Sequence, residues 1–328
     1  MSLVELSNKV TFLAEPGKTL LDSASSKGVF LEYSCRTGRC GVCKAKVLQG
    51  ETCIQQNERA LQGGELEAGY ILTCCRSAET DLKLDIEDIG ELAWCEIKTL
   101  PCRIDSISKL ADDVVEVVLR VPSNSALKYL PGQYIDVIAF GVRRSYSIAN
   151  ALRADGKIEL QIRQIEQGVL SRYWFGESKV NDLLRLEGPL GTFGLRNLNA
   201  TNIVFLATGT GIAPVKAMLE KLAVAPEILI HKKIYVYWGG RTAADIYWRP
   251  DFDCLQLEFI PVLSRADAAW VGRRGYVQQK LLEDRLDLKQ SVIYACGSDA
   301  MIDSARNALI AEGLPCKNFY SDAFVSSN

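Results

Sequence analysis

Cysteines carry the clearest chemical signal in the sequence. Cys35, Cys40 and Cys43 lie in one short segment, with four residues and then two residues between them. Cys74 and Cys75 follow downstream, and either of them can supply a fourth sulfur. Thiolates at this spacing can surround one edge of an iron–sulfur cluster, whereas zinc sites usually pair C-x₂₋₄-C elements. The cysteines therefore predict a [2Fe–2S] cluster, with zinc as the alternative.

The residues around these cysteines suit such a cluster. Gly38 and Gly41 let the backbone approach, so that amide N–H groups can point at the sulfurs. Five basic side chains, which we call the basic rim, surround the cysteines: Arg36, Arg39, Lys44, Lys46 and Arg76. The basic rim either docks an acidic partner, faces the flavin domain or is an ordinary solvated surface.

Composition narrows the function classes. The 328 residues are 48% hydrophobic and 24% charged, which is typical of globular domains, and the net charge of −2 argues against nucleic-acid binding. Eleven cysteines without a secretory signal indicate metal or redox chemistry rather than disulfides. The single histidine, His231, makes a Ser-His-Asp hydrolase a poor fit. Since no apolar run is long enough to span a bilayer, we expect a cytoplasmic protein with no membrane partner.

The elements that hold the cysteines occupy the first third of the chain. Residues 1–92 contain 14 acidic and 10 basic side chains, so their net charge is −4. Apolar alternation and turn signals predict strands at 9–12, 44–48, 69–73 and 82–86 and a helix at 19–26. Periodicity disappears between Asp88 and Thr99, and Pro101 follows. We therefore expect a first domain at 1–92 and a linker at 93–100.

In the rest of the chain, the predicted secondary structure changes near residue 198 from short strands to alternating strands and helices. Short strands at 114–119, 134–138 and 158–162, separated by Gly, Pro and Asn clusters, predict an antiparallel β-barrel at 101–198. From 199 to 328, strands at 203–207, 234–238 and 292–296 alternate with helices at 214–222 and 300–311, which predicts a parallel α/β sheet. The expected fold class is therefore multidomain, α+β followed by α/β.

The barrel region resembles the ferredoxin–NADP reductase superfamily. The resemblance is carried by Pro-Gly-Gln-Tyr at 131–134 and by Arg144, Ser145, Tyr146 and Ser147. It implies an FAD-binding barrel, in which Arg144 neutralises the flavin pyrophosphate and Tyr146 packs on the isoalloxazine. Ser147 would hydrogen-bond near N5, the atom that accepts hydride, and so belongs to the catalytic centre.

Two glycine turns are candidates for phosphate binding. One opens a predicted helix at 171–175 and consists of Gly168, Val169, Leu170 and Ser171; an ordinary helix cap is the alternative. The other lies between a predicted strand and a predicted helix and contains Gly209, Thr210, Gly211 and Pro214. The second turn resembles the superfamily's Gly-Gly-Thr-Gly-x-Ala-Pro, with Thr208 in place of the first glycine.

The nicotinamide nucleotide has further candidate contacts. Cys296 and Gly297 lie at the tip of a predicted strand, where ligands bind in open α/β sheets, and the resemblance places Cys296 close to the nicotinamide as a second catalytic residue. Arg241 ends another strand and could meet the adenosine half. Ser264 and Arg265 could hold a 2′-phosphate, yet NADH users have the same pair, so NADH is favoured over NADPH.

Two further resemblances define the expected family. The cysteine segment with Leu72-Thr73-Cys74 resembles plant-type ferredoxins, which are β-grasp domains, and this likeness favours Cys74 over Cys75 as the fourth ligand. Longer stretches are similar to the CDP-6-deoxy-Δ3,4-glucoseen reductase family: Phe30–Cys35, Ile71–Cys75, Arg143–Asn150 and Phe319–Phe324. That family supplies electrons to a pyridoxamine-phosphate dehydratase in 3,6-dideoxyhexose synthesis.

The resemblance implies an electron-transfer reductase, in which NAD(P)H gives hydride to FAD and the cluster passes single electrons to a partner protein. One alternative is the reductase component of a multicomponent oxygenase, which has the same chemistry and another acceptor. A second alternative is an iron–sulfur redox sensor, which would bind no hydride donor.

Overall fold

The computed structural model describes residues 1–90 and 95–324. The chain divides into two compact units, Met1–Glu96 and Ile97–Asn328, and each is described by itself. The predicted barrel and the predicted nucleotide-binding region both lie in the second unit.

The first unit is a mixed β-sheet packed on a short helix, as expected for a β-grasp domain. Its elements are β1 Ser2–Leu6, β2 Thr11–Ala14, α1 Leu20–Ser26, β3 Lys44–Gln49, β4 Thr52–Ile54, α2 Gly63–Glu67, β5 Tyr70–Leu72, β6 Arg76–Ala78 and β7 Leu82–Asp85. The main sheet has the order β2-β1-β7-β3-β5, and β4 pairs with β6. In the main sheet β1 runs parallel to β7 and antiparallel to β2.

Helix α1 begins where the sequence predicts it. The Thr19 hydroxyl accepts a hydrogen bond from the backbone N–H of Asp22 at 3.1 Å, which caps the helix start. Leu20, Leu21 and Ala24 are buried against the sheet. The cysteine segment therefore lies between an anchored helix and β3, so both of its ends are fixed.

The first half of the second unit is a six-stranded antiparallel barrel. Its elements are β8 Lys98–Ala111, β9 Val114–Arg120, β10 Tyr134–Ala139, β11 Val142–Ser147, β12 Ile158–Arg163, α3 Val169–Arg172 and β13 Leu183–Leu190. The strand order is β11-β10-β13-β8-β9-β12. A bridge between Ile148 and Leu160 joins the end of β11 to β12 and closes the barrel.

The predicted linker at 93–100 needs a correction at its C-terminal end. Residues 98–100 are the start of β8, and Leu100 pairs with Leu186 of β13. Partner strands far along the chain, which local periodicity does not reveal, create this element. Residues 93 and 94 lie outside the described part of the chain.

The second half of the same unit is a parallel α/β sheet. Its elements are β14 Asn202–Thr208, α4 Ile212–Val224, β15 Lys233–Gly240, β16 Leu257–Leu263, β17 Arg273–Arg274, α5 Val277–Glu283, β18 Ser291–Gly297, α6 Asp299–Ala311 and β19 Phe319–Ala323. The strand order is β17-β16-β15-β14-β18-β19. Strands β15, β16 and β17 are therefore added on one side of β14, and β18 and β19 are then added on the other side. The switch point lies between β14 and β18, where ligands bind in such sheets.

Candidate functional site

The cysteine loop presents backbone amides to its sulfurs. The N–H groups of Thr37 and Cys40 both point at the Cys35 Sγ, each at 3.4 Å. Gly38 and Gly41 both have φ of +71°, a conformation that favours glycine and lets the loop curl around the thiols. N–H donors aimed at sulfur stabilise thiolates, which are the form that binds iron.

Four cysteines form two neighbouring pairs. Cys35 and Cys40 face each other, with the Cys35 N–H 3.5 Å from the Cys40 Sγ. The Sγ atoms of Cys43 and Cys74 are 3.3 Å apart. Within residues 1–90 and 95–324, no three His, Cys, Asp or Glu side chains converge as ligands of a single ion. Two pairs of thiols match a cluster of two irons, in which each iron takes two cysteines.

Cys75 occupies a different environment from Cys74. Its sulfur is fully buried, 3.7 Å from the Asn57 carbonyl and 3.5 Å from the Cys74 Sγ. A Cβ atom built at Gly38 would lie only 2.8 Å from the Cys75 Sγ, so Gly38 makes room for this side chain. Of the two adjacent cysteines, Cys74 is the one that pairs with Cys43.

In each pair of cysteines, one thiol has a lowered pKa and the other a raised pKa. A hydrogen bond from Cys40 lowers the pKa of Cys35 to about 4, and a hydrogen bond from Cys43 lowers the pKa of Cys74 to about 7. Cys40 and Cys43, which donate these bonds, have raised pKa values. Within each pair, the thiol that accepts the hydrogen bond is therefore the easier one to deprotonate. The donor set and the amide-lined loop fit an iron–sulfur cluster.

The basic rim carries less unpaired charge than the sequence indicates. Arg36 pairs with Asp22, Lys44 with Glu65 at 2.5 Å, and Arg76 with Glu58 at 2.7 Å. The Lys46 ammonium lies 5.7 Å from the centre of the Tyr70 ring. A cavity of about 310 Å³ opens beside the loop and is lined by Thr19, Leu21, Asp22, Arg36, Gln55, Gln56 and Cys74. Three of the five rim charges are thus neutralised inside the unit.

The predicted flavin residues lie together on β11. Ser147 is buried opposite Tyr134 of β10, and the Tyr146 hydroxyl accepts a hydrogen bond from Trp174 Nε1 at 3.1 Å. Side chains alternate along a strand, so Arg144 and Tyr146 share one face while Ser145 and Ser147 share the other. The Ser145 hydroxyl donates to Asp136 Oδ1 at 2.6 Å.

The glycine of the flavin signature packs the barrel against the nucleotide half. Gly132 has φ of +110°, and a Cβ there would lie 2.5 Å from both the Met218 Cε and the Phe193 carbonyl oxygen. Gln133 donates to the Gly191 carbonyl at 2.9 Å. Residues 131–134 therefore have a packing role in addition to any contact with flavin.

The first candidate phosphate turn starts a helix two residues earlier than predicted. Helix α3 begins at Val169, directly after Gly168, and continues into a π-helical turn at Tyr173–Glu177. Ser171 is buried, and its hydroxyl accepts the Ile165 N–H at 2.7 Å. Ser171 therefore also ties the loop before the helix.

The second glycine turn and the tip of β18 meet at the switch point. A Cβ at Gly211 would lie 2.2 Å from the Cys296 carbonyl oxygen. Thr208, which stands where the superfamily has glycine, accepts a hydrogen bond from the Ser298 N–H at 3.2 Å. Trp238 Nε1 donates to the Gly209 carbonyl at 2.9 Å and fixes the turn from a neighbouring strand. Thr208, Gly211, Cys296 and Ser298 therefore form one contact region.

Cys296 is fully buried beside an acidic residue that the sequence reading missed. Burial, together with the carboxylate of Asp322, raises the pKa of the Cys296 thiol well above its usual range. Asp322 on β19 pairs in register with Cys296 and is itself buried. The only sequence signal for Asp322 was its place in the tail at 319–324. Burial in the fold therefore disfavours deprotonation of the Cys296 thiol.

A second missed residue is Arg163, at the end of β12. Its guanidinium pairs with Asp245 at 3.0 Å and Asp113 at 3.6 Å and lies beside Gly209. Arg241 pairs with the same two carboxylates, at 3.8 Å and 3.5 Å. A cavity of about 280 Å³ at this place is lined by Ala111, Asp112, Asp113, Arg241, Thr242, Ala244, Asp245 and Arg265. The predicted adenosine contact Arg241 therefore lies among carboxylates.

In the described part of the chain, no helix combines the length and the apolar character needed to cross a membrane.

Three families match successive parts of the chain. They are the 2Fe-2S iron-sulfur cluster binding domain at residues 4–79, the oxidoreductase FAD-binding domain at 101–194 and the oxidoreductase NAD-binding domain at 205–307. The cofactors are therefore a [2Fe–2S] cluster, FAD and a nicotinamide nucleotide. The two alternatives for the group bound by the cysteines were a [2Fe–2S] cluster and zinc, and the family match supports the cluster.

Similar proteins cover nearly the full length. CDP-6-deoxy-L-threo-D-glycero-4-hexulose-3-dehydrase reductase of Yersinia pestis is 42% identical over 97% of this chain and 96% of its own. The xylene/toluene monooxygenase electron transfer component XylA of Pseudomonas putida is 31% identical, over 96% and 91%. The crystal structure of the Amycolatopsis cytochrome P450 reductase GcoB is 26% identical, with a TM-score of 0.76 and full coverage of both chains. This chain accordingly belongs to the family of NAD(P)H-dependent iron–sulfur flavoprotein reductases that includes CDP-6-deoxy-L-threo-D-glycero-4-hexulose-3-dehydrase reductase.

Proposed function

We propose that this reductase takes its electrons from NADH and delivers them to a 3-dehydrase that acts on a CDP-6-deoxy-hexulose. The observation that carries the choice of acceptor is similarity: identity to the Yersinia reductase is 42%, against 31% to the monooxygenase component. An oxygenase is the second candidate acceptor. We further propose three domains at 1–92, 98–198 and 199–328, in which the barrel domain begins with β8.

Cys35, Cys40, Cys43 and Cys74 are proposed as the cluster ligands. Their support is the two-pair arrangement and the amide groups that face Cys35. The cluster, when bound, carries one electron at a time. The chain's own part is to supply thiolates and to place N–H donors around them.

The flavin site is proposed at Arg144–Ser147 with Gly168–Ser171. FAD, when bound, accepts hydride and releases electrons singly. The Arg144 guanidinium would neutralise the pyrophosphate, the Tyr146 ring would pack on the isoalloxazine, and the buried Ser147 hydroxyl would hydrogen-bond near N5. Burial of Ser147 supports this role because a hydrogen bond from a buried hydroxyl would be shielded from water.

The nucleotide site is proposed at Gly209, Thr210, Gly211 and Pro214, with Cys296 and Gly297 at the nicotinamide. The Cys296 side chain is fully buried and its carbonyl lies against Gly211, so Cys296 would shape the nucleotide turn from beneath. NADH is favoured because Asp113 and Asp245 already neutralise Arg241, so a 2′-phosphate would meet carboxylates there.

Anaerobic titration of the cofactor-loaded protein tests the function. We expect NADH to bleach both the flavin band and the cluster bands, and to do so at lower concentration than NADPH. Turnover with purified 3-dehydrase should exceed turnover with an oxygenase component. A protein that contains iron but does not bleach with either nucleotide would favour the redox-sensor alternative; faster turnover with the oxygenase would favour the second acceptor.

A further inference from the structure

A short segment outside the cysteine loop contacts both chain stretches that carry the proposed cluster ligands. This segment, residues 55–58, follows β4, and we call it the bracing segment. The N–H groups of Gln55 and Gln56 donate to the Cys75 carbonyl at 2.8 and 3.3 Å. Glu58 accepts the Leu72 N–H at 2.7 Å. The bracing segment is therefore attached to the chain on both sides of Cys74.

Gln56 extends these contacts to the cysteine loop through its side chain. Its Nε2 donates to the Cys74 carbonyl at 2.7 Å and to the Arg36 carbonyl at 3.1 Å. Both hydrogens of one amide group thus connect the residue after Cys35 with Cys74 itself. The loop also touches the bracing segment at Gly38, where a Cβ would lie 2.2 Å from the Asn57 carbonyl oxygen.

The Arg36 carbonyl shares a peptide unit with the Thr37 N–H, which points at the Cys35 Sγ at 3.4 Å. Because a peptide unit is planar and rigid, fixing its carbonyl fixes the direction of its N–H. A donor on the carbonyl also polarises the peptide and strengthens the N–H···S bond. Gln56 therefore acts on a Cys35 sulfur that it does not touch.

We propose that Gln56 is a positioning residue for the [2Fe–2S] cluster, which aims the Thr37 amide at Cys35 and keeps the Cys74 stretch in register with the loop. The proposal rests on the ligand set proposed above. N–H···S bonds stabilise the extra negative charge of the reduced cluster. Loss of the Gln56 amide should therefore make the cluster's reduction potential more negative and loosen its iron.

Two Gln56 variants and one matched control test this in the full-length, cofactor-loaded protein. Gln56→Glu keeps the shape but cannot donate to carbonyls, and Gln56→Leu removes all polarity. Gln55→Leu is the control because the Gln55 side chain donates to the Ser77 hydroxyl at 2.8 Å, away from both carbonyls. Backbone bonds of the bracing segment persist in all three.

The readouts are the cluster's midpoint potential, followed by electron paramagnetic resonance, and the rate of iron release to a chelator. Both Gln56 variants should titrate at more negative potential and lose iron about tenfold faster than wild type, as expected for the loss of two modest hydrogen bonds. Gln55→Leu should match wild type. A Gln56 variant that loads flavin but no cluster, while Gln55→Leu loads both, also supports the proposal.

Unchanged potential and iron release in Gln56→Glu and Gln56→Leu would overturn the positioning role alone. Equal effects in Gln55→Leu would overturn it too, because the segment would then act only through general stability. A wild-type protein without a ferredoxin-type signal would instead count against the proposed ligand set, and the positioning role would fail with it.

Discussion

At the scale of single residues, the two adjacent cysteines show how the fold assigns roles to identical side chains. Cys74 and Cys75 follow β5, and their sulfurs are 3.5 Å apart, yet Cys74 contacts Cys43 whereas Cys75 lies against Asn57 and Gly38. Burial raises the pKa of Cys75, whereas the hydrogen bond from Cys43 lowers that of Cys74. Cys74, and not Cys75, therefore contacts a proposed ligand of the cysteine loop, with its Sγ 3.3 Å from that of Cys43.

Serine substitutions distinguish the roles of Cys74 and Cys75. Cys74→Ser should abolish the cluster's visible and paramagnetic signals because one iron loses a thiolate, while NADH still reduces the flavin. Cys75→Ser should keep the cluster, since its sulfur faces a carbonyl. Absorption spectra and flavin reduction rates measured on both variants check this. A normal cluster in Cys74→Ser together with loss in Cys75→Ser would show that Cys75 is the ligand.

At the scale of elements, the helices and strands that could be predicted from the sequence are those with local sequence signals. Helix α1 has a threonine cap and apolar spacing, and strands β9 and β14 are largely apolar and contain β-branched residues, so their bounds are close to the predicted ones. Eleven elements were not predicted: β1, β4, β6, β8, β11, β13, β16, β17, β19, α2 and α5. The residues of β1, β19 and the start of β8 are ordinary in sequence and become strands because distant partners pair with them, as Leu100 does with Leu186.

The same distinction between local signals and distant partners applies to the residues of the candidate site. Cysteine spacing and the Gly209–Gly211 turn are local patterns, so the cluster and the phosphate turn could be predicted. Arg163, Asp322 and Gln56 could not, because each acts on residues from other elements: Asp245, Cys296 and the two ligand stretches. A lone Arg, Asp or Gln in a sequence indicates nothing until the fold supplies its partner.

The close approach of the glycine turn to β18 makes an element-scale prediction. Gly211→Ala should push the start of α4 away from the Cys296 carbonyl, because the new Cβ would lie 2.2 Å from that oxygen. Displacement of the turn by about 1 Å should lower the rate of flavin reduction by NADH about 100-fold. Stopped-flow measurement checks the rate, and flavin and cluster spectra should be unchanged.

The matched control for this variant is Gly176→Ala in the same unit. A Cβ at Gly176 has no heavy atom within 4 Å, so the variant should reduce its flavin at the wild-type rate. Wild-type kinetics in Gly211→Ala would mean that the turn relaxes freely and does not position the nucleotide.

At the scale of the whole second unit, a partly buried charge cluster joins the barrel to the nucleotide half. Lys216 on α4 reaches Glu159 on β12 at 3.0 Å and Glu220 at 2.8 Å, and Glu220 accepts the Ala151 N–H at 2.8 Å. Burial raises the pKa of Glu159 to about 7, and nearby Glu116 adds to this, although Lys216 acts in the opposite direction. The contact between the two halves therefore contains a carboxyl whose pKa is raised towards neutral pH.

The sign of this effect follows from proton linkage. The pKa of Glu159 rises from an ordinary 4.5 to about 7 on folding, so the folded state holds the proton more tightly, and stability from this group is lost as pH rises through that interval. Glu159→Gln removes this loss. The melting temperature of the variant minus that of wild type should therefore increase as the pH is raised from about 5 to about 8. Thermal melts of the FAD-loaded proteins check it, with the exposed Glu227→Gln as control. A difference that stays flat or falls across this range would mean that Lys216 keeps Glu159 ionised throughout, and that the contact between the two halves is a permanent ion pair.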